Sequence, residues 1–247
     1  MVALTYRMNS GIPGNVSRES QASIESGFYD STAPFPAYGV LGKINSASGK
    51  FNMLQGGEAA YQVYGILVRP YPTTGLNSSD PIGTAVPPTS GMCNILRRGY
   101  ISAKLNNGAA INGGQVYGRV SNPSGAKIIG GFEAIADATT TPKTGITGNG
   151  TISAVTLGTI GWQTGAYKAL FTGATTFNVV NVNGDIVSNG VTGTALTVDG
   201  LTFTITAGGT AFVAGDFFTV QTNAVILPAT FMGAADASGN VEIAYNI

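Results

Sequence analysis

Apolar and polar residues alternate with a period of two along much of this chain, while helical periodicity is scarce. Phe51 and Met53 alternate with Lys50 and Asn52, and Tyr64, Ile66 and Val68 share one face. Ile101, Ala103 and Leu105 oppose Tyr100, Ser102 and Lys104, and Val241, Ile243 and Tyr245 alternate with Glu242, Ala244 and Asn246. Successive side chains of a strand point to opposite faces, so the pattern predicts half-buried antiparallel strands. Only two short stretches, residues 17–26 and 57–61, read as helix candidates. "INSASGKF" (44–51) and "ADASGNVE" (235–242) set Ser-Gly between strand-like runs and read as hairpin loops. Many short strands with glycine-rich turns predict an all-β chain, either a β-sandwich or a jelly roll.

A shift in composition near Thr139 divides the chain. Between residues 145 and 224 the only basic residue is Lys168 and the only acids are Asp185, Asp199 and Asp216. "LTFTIT" alternates Leu201, Phe203 and Ile205 with threonines, and Asn183-Gly184 in "NVNGDIV" is a strong hairpin signal. Several such strands make a small Ig-like sandwich. The expected organisation is an N-terminal arm (1–20), a β core (21–141 and 225–247) and an inserted β domain (142–224).

Charge is the next constraint. Charged residues are 10% of the chain, against about 25% in an ordinary soluble domain, and twelve basic residues cancel twelve acidic ones. The apolar fraction, 43%, is ordinary, so the missing charge is missing from the surface. Neutral, charge-poor surfaces repel one another weakly and associate, which implies that other chains cover much of this one. Residues 217–235 carry Gln221, Thr222, Asn223 and Pro228 and do not read as a membrane span, and the first residues show no signal-peptide apolar region. Arg97 and Arg98 are the only adjacent basic pair, so no nucleic-acid surface is expected.

Catalytic and metal chemistry find little support. The chain has no histidine, which removes Ser-His-Asp and Cys-His catalysis and imidazole ligation, and the single Cys93 reads as a buried apolar residue. "SGAK" (124–127) and "KTG" (143–145) match fragments of serine acyltransferase motifs but lack the helix and the intervening S-D-N. "NVNGD" has calcium-loop spacing at Asn181, Asn183 and Asp185, yet Ile186 and Thr192 stand where glycine and glutamate are needed. No P-loop spacing occurs near Gly42-Lys43. Neither a cofactor nor a metal is expected, and the chain does not read as an enzyme. An esterase or glycosidase built on carboxylates is the weakest of the readings.

Residues 69–91 raise a different question. The stretch holds Pro70, Pro72, Pro81, Pro87 and Pro88 and little apolar mass, and is longer than most loops of compact domains. Together with this loop, "SGIPGNVSRES", "APFPAYGV", "LRRGYISAK" and "FMGAADASGNVEIAYNI" resemble the structural cement proteins of tailed-bacteriophage capsids. The likeness covers Asn9 to about Asp137 and Pro228 to Ile247, with "MVALTYRM" as an extension. It implies a jelly-roll-like core attached to the outer surface of a shell of HK97-like major capsid protein, as dimers on two-fold positions, with a trimer as the alternative. The virion would be its destination, after assembly in the bacterial cytoplasm. The inserted segment looks like an Ig-like Gly/Thr-rich module of phage head proteins.

On that reading the proline-rich loop and residues 1–20 are arms lying along the shell, since proline pre-sets extended backbone and lowers the entropy lost on docking. Arg69, Arg97 and Arg98 would pair with capsid carboxylates, Tyr71 and Tyr100 would anchor beside them, and Pro72, Pro87 and Pro88 would stiffen the strip. The competing reading is a carbohydrate-binding or host-adhesion module in which Trp162, Tyr167 and Phe171 of the insert form an aromatic platform.

Overall fold

The computed structural model describes residues 11–70 and 85–247, and their regular structure is almost entirely β. The strands are β1 (Ser23–Phe28), β2 (Leu41–Ile44), β3 (Phe51–Met53), β4 (Gly65–Val68), β5 (Met92–Asn107), β6 (Gln115–Arg119), β7 (Phe132–Glu133), β8 (Ala138–Pro142) and β9 (Thr151–Ile152). There follow β10 (Thr156–Leu157), β11 (Ala166–Phe171), β12 (Thr176–Val180), β13 (Ile186–Val191), β14 (Ala195–Val198), β15 (Leu201–Thr206), β16 (Phe217–Thr222), β17 (Ala224–Phe231) and β18 (Asn240–Tyr245). The alternation therefore meant what it implied: an all-β, sandwich-like chain. The helix candidates hold only single 3₁₀ turns, Glu19–Gln21 and Ala60–Gln62. Most of the first candidate is strand β1, because β5 offers it a row of backbone partners and tertiary pairing overrides a weak local pattern.

Two compact units form, one from the described residues up to Ile135 with Ile226–Ile247, the other Ala136–Val225. The first is organised on β5, a strand of 16 residues. Its first half pairs on one side with β1 and on the other with β4, so Leu96 lies opposite both Ile24 and Ile66. Its second half pairs with β18 from Gly99 to Lys104 and with β7 beyond. Since β7 pairs with β6, β6 with β17 and β17 with β18, the path returns to β5 and closes. Closure gives each of those strands a partner on both sides. Ile101, Ala103, Val116, Phe132, Val241 and Ile243, all on these strands, are completely buried.

The change of partners occurs at Gly99, whose φ of 137° suits glycine and few other residues. A Cβ there would stand 3.0 Å from the Cα of Ala22. A second apolar cluster, Tyr29, Phe35, Tyr38, Val40, Phe51, Leu67, Cys93 and Ile95, packs beside the β2–β3–β4 extension, with the Phe35 and Phe51 rings 4.9 Å apart.

The second unit contains a five-stranded sheet, β13–β12–β11–β16–β8, and a four-stranded one in which β15 joins β14, β10 and β9. Asn183-Gly184 turns β12 into β13 as expected, with Asn181 Oδ1 accepting the N–H groups of Asn183 and Asp185. Residues 138–141, placed in the core by the sequence, form β8 together with Pro142 and pair with β16 in this unit. Phe171, Phe177, Phe203, Phe212 and Phe218 fill its interior, Phe171 and Phe212 stacking at 3.9 Å. Glycine makes room for these rings. Gly190 lies opposite Phe177, and a Cβ there would stand 2.3 Å from the ring, while Gly148 is equally close to Phe212.

Several of the few charges are internal. Arg119 and Glu133 form a bidentate pair, 1% and 0% exposed, with Arg119 Nη2 donating to Glu133 Oε2 at 3.2 Å. Arg119 Nη1 also donates to the carbonyls of Ser121 and Asn122, tying the following loop to the pair. Asp30 accepts from the Thr32 N–H and hydroxyl and from Asn45 and Ser48, and these bonds hold its carboxyl well below the ordinary range. Burial pushes the Asp216 carboxyl up, but the N–H groups of Thr147, Val213 and Gly148, each at 3.1 Å, outweigh it and leave it low.

Removing one member of a fully buried ion pair strands the other charge, which costs about 3–5 kcal/mol. Glu133→Gln should therefore lose about that much stability in urea titration, and a loss near zero would contradict the burial. A carboxyl whose folded-state pKa is depressed stabilises the fold above its unfolded value near 4, and that stability is lost as the pH falls toward the folded value. Melting temperature should be level near neutrality and decline below about pH 4. Asp30→Asn should be less stable at pH 7 and decline less steeply with acid.

Candidate interaction surface

Strand β1 carries the alternation Ile24, Ser26, Phe28, and among the described residues it pairs only with β5. Phe28 lies directly opposite Met92, and Ser26 opposite Asn94. Ile24 is 45%, Phe28 60% and Met92 69% exposed. Three large apolar side chains on one face of an edge ribbon are not needed by the core, and grouped exposed apolar surface marks interaction sites. Ile24 was obscured because residues 17–26 read as a helix candidate; the alternation from Ile24 to Phe28 was the available signal.

The sequence-derived site residues fall in several places. Arg97 and Arg98, neighbours on β5, serve different surroundings. The Arg97 guanidinium lies 3.5 Å from the centre of the Tyr64 ring, donates to the Tyr64 carbonyl and pairs with Glu25 at 3.7 Å. The Tyr64 hydroxyl in turn donates to Glu25 at 2.6 Å, and this bond, with burial, raises its pKa. Arg97 is thus a fastener across β1, β5 and the start of β4. Arg98 is exposed and shares a cleft of about 430 Å³ with Tyr100, Ser20, Ser23 and Gln21. The guanidinium of Arg18 covers one face of Tyr100 at 3.9 Å and is held by Glu242 at 3.3 Å.

Arg69 is 7% exposed. It stacks 4.8 Å from the Tyr38 ring and its Nε donates to the Pro13 carbonyl at 3.3 Å, and burial draws its pKa below the ordinary value. Pro87 is buried and Pro88 exposed. Tyr71 and Pro72, with most of the proline-rich loop, lie outside the described residues.

Of the expected N-terminal arm, residues 11–20 are described, and they belong to the first unit's own structure. Gly14 N–H donates to the Ser102 carbonyl, Ser102 N–H to Asn15, and Ser17 N–H to Tyr100, so the segment runs hydrogen-bonded along β5. Pro13 restricts its backbone, and Gly11 and Gly14 take the positive φ values of 80° and 90° that its path against an intramolecular partner requires. Trp162, Tyr167 and Phe171 are 4%, 1% and 1% exposed, so they form no surface platform and belong to the core of the second unit. Ser124 and Lys127 exchange two backbone hydrogen bonds at 3.0 Å in a tight turn. Burial pushes the Cys93 thiol up to about 11, which leaves it a packing residue. Among the described residues no group of three His, Cys, Asp or Glu side chains is placed to hold a metal ion.

Comparison with known proteins adds one informative match. The family described as "XM1 gp53 minor capsid protein" matches residues 1–164, two thirds of the chain, leaving β11 to β18 outside. No curated protein matches. Two crystal structures of Xanthomonas campestris FlgL align weakly. One is 21% identical over 42% of this chain and 33% of that chain with a TM-score of 0.31, the other 20% identical over 53% and 33% with 0.30. The chain thus spans about a third of the FlgL length, and a likeness at this TM-score carries no argument.

Proposed function

Given that the chain belongs to the XM1 gp53 minor capsid protein family, we propose that it is a cement, or decoration, protein of a phage head. It binds the outer surface of an HK97-like major capsid shell across subunit joints and holds the shell against the pressure of packaged DNA. The chain acts by binding alone. The observation that carries this reading is the exposed apolar ribbon of Ile24, Phe28 and Met92 on a chain with only 10% charged residues.

The physics is that of a lattice. A ribbon of this size makes a modest contact, but an oligomer that engages two capsid subunits at once turns the second contact into an intramolecular one, and avidity multiplies accordingly. A homodimer placed on capsid two-folds does this with one repeated interface. Arg98 and the Tyr100 cleft lie farther along the same β1–β5 ribbon and supply polar contacts at its rim. Arg97 and Arg69 serve the fold that presents the ribbon. The jelly-roll-like first unit is the cementing body, and the second unit is an Ig-like addition to it in the chain.

Purified protein should sediment with capsids that lack it and raise the temperature at which their DNA is released. Losing a central aromatic anchor costs about 2 kcal/mol, roughly 30-fold in affinity. Phe28→Asp with Met92→Asp should weaken capsid binding at least that much and leave the melting temperature of the free protein within a few degrees. Unaltered binding by this double variant would contradict the assignment of the ribbon.

A further inference from the structure

A second surface of the first unit has different chemistry. The hairpin of β2 and β3 and the turn Ala60–Gln62 enclose a cleft of about 580 Å³, within the range of small-molecule sites. At its floor lies Asn52, 2% exposed, whose Oδ1 is buried without a hydrogen-bond partner. Buried carbonyl oxygens are nearly always satisfied, so an orphan lining a cleft points to a donor supplied from outside.

The rest of the lining says what kind of donor. Lys43 is the cation of the cleft, and its ammonium is held by Glu58 at 2.6 Å, while Glu58 also accepts the N–H groups of Gln55 and Gly56. Burial pushes the Glu58 carboxyl up, but the Lys43 ammonium and these N–H groups outweigh it and keep it ionised, so the pair is neutral as a whole. Thr32 and Asn45 are committed to Asp30. What remains is neutral: the Asn52 and Gln55 amides, the NH2 group of Gln62 (whose Oε1 already accepts the Ala59 N–H at 2.9 Å), the Ser46 hydroxyl and two tyrosines. Tyr64 is a fixed wall, clamped by Arg97 and Glu25. Tyr61 at the rim is 88% exposed, with a free ring face.

We infer that this cleft binds a neutral, polyhydroxylated ligand, a saccharide unit of a cell-surface or capsular glycan. A sugar hydroxyl both donates and accepts, matching amides that do the same, and it supplies the proton that Asn52 Oδ1 lacks. The apolar C–H face of a pyranose packs on an aromatic ring, the use for which Tyr61 is placed. Phosphate and carboxylate ligands do not fit, because the only cation is already neutralised. The site is distinct from the β1–β5 ribbon, so a head decorated with this chain would present weak sugar sites in many copies, where multivalency compensates for low single-site affinity.

The test is binding of the full chain to an array of neutral and acidic bacterial oligosaccharides, followed by saturation-transfer NMR with the mono- and disaccharides of any hit. Neutral glycans should be retained, and Tyr61→Ala should weaken retention at least tenfold. Asn52→Leu, which removes the orphan acceptor at nearly constant volume, should abolish retention while leaving the melting temperature unchanged or higher. Both variants should sediment with capsids as the parent does, which separates this site from the cementing one. Retention of acidic glycans only, no retention of any saccharide, a cleft that takes a peptide instead, or equal retention by both variants would overturn the assignment.

Discussion

Strand β5 is the element on which the first unit depends. Sixteen residues of extended backbone offer hydrogen-bonding groups on both edges, and β1, β4, β18, β7 and the segment at residues 14–17 each take a share. A strand that must serve so many partners cannot stay regular. The register skips between Ser23 and Ile24, and Gly99 takes a backbone angle that a side chain would resist, so that one half faces β1 and β4 and the other β18. The buried apolar residues on either side of this point follow from the pairing. They fill the space that the change of partners creates.

The scarcity of charge acquires a structural meaning beside this. Part of the small complement is spent internally: Arg119 with Glu133, Lys43 with Glu58, and Asp30 and Asp216 on backbone and hydroxyl donors. Each fastens a loop or a turn to a strand. Buried pairs of this kind add little net stability, since desolvation offsets most of their attraction, yet removing one partner is costly because it strands the other charge. The surface is correspondingly neutral, and its exposed apolar ribbon meets little electrostatic opposition to lying against another protein. That is the property the proposed cementing role requires, and it is why the role needs no reactive group.

Glycine links composition to packing. Some glycines serve turns, as at Gly184, but others, such as Gly190 and Gly148, leave a slot for a phenylalanine ring. A chain with small cores and five interior phenylalanines in its second unit uses absent side chains to seat large ones. The sequence showed the glycines and the phenylalanines; their partnership appears only when strands are aligned.

Strand content, the hairpins at Ser-Gly and Asn-Gly, the neutrality and the absence of imidazole chemistry were legible in the sequence by itself, because alternation, turn geometry and composition are local properties. What tertiary structure decided was the fate of each ambiguous segment. Residues 17–26 became a turn and an edge strand because β5 supplied partners, Arg97 became a fastener because Tyr64 and Glu25 converged on it, and residues 11–17 docked on their own core. Asn52 became an orphan at the floor of a cleft for the same reason. Which groups meet is set by long-range pairing across the chain, and no single stretch of residues carries that information.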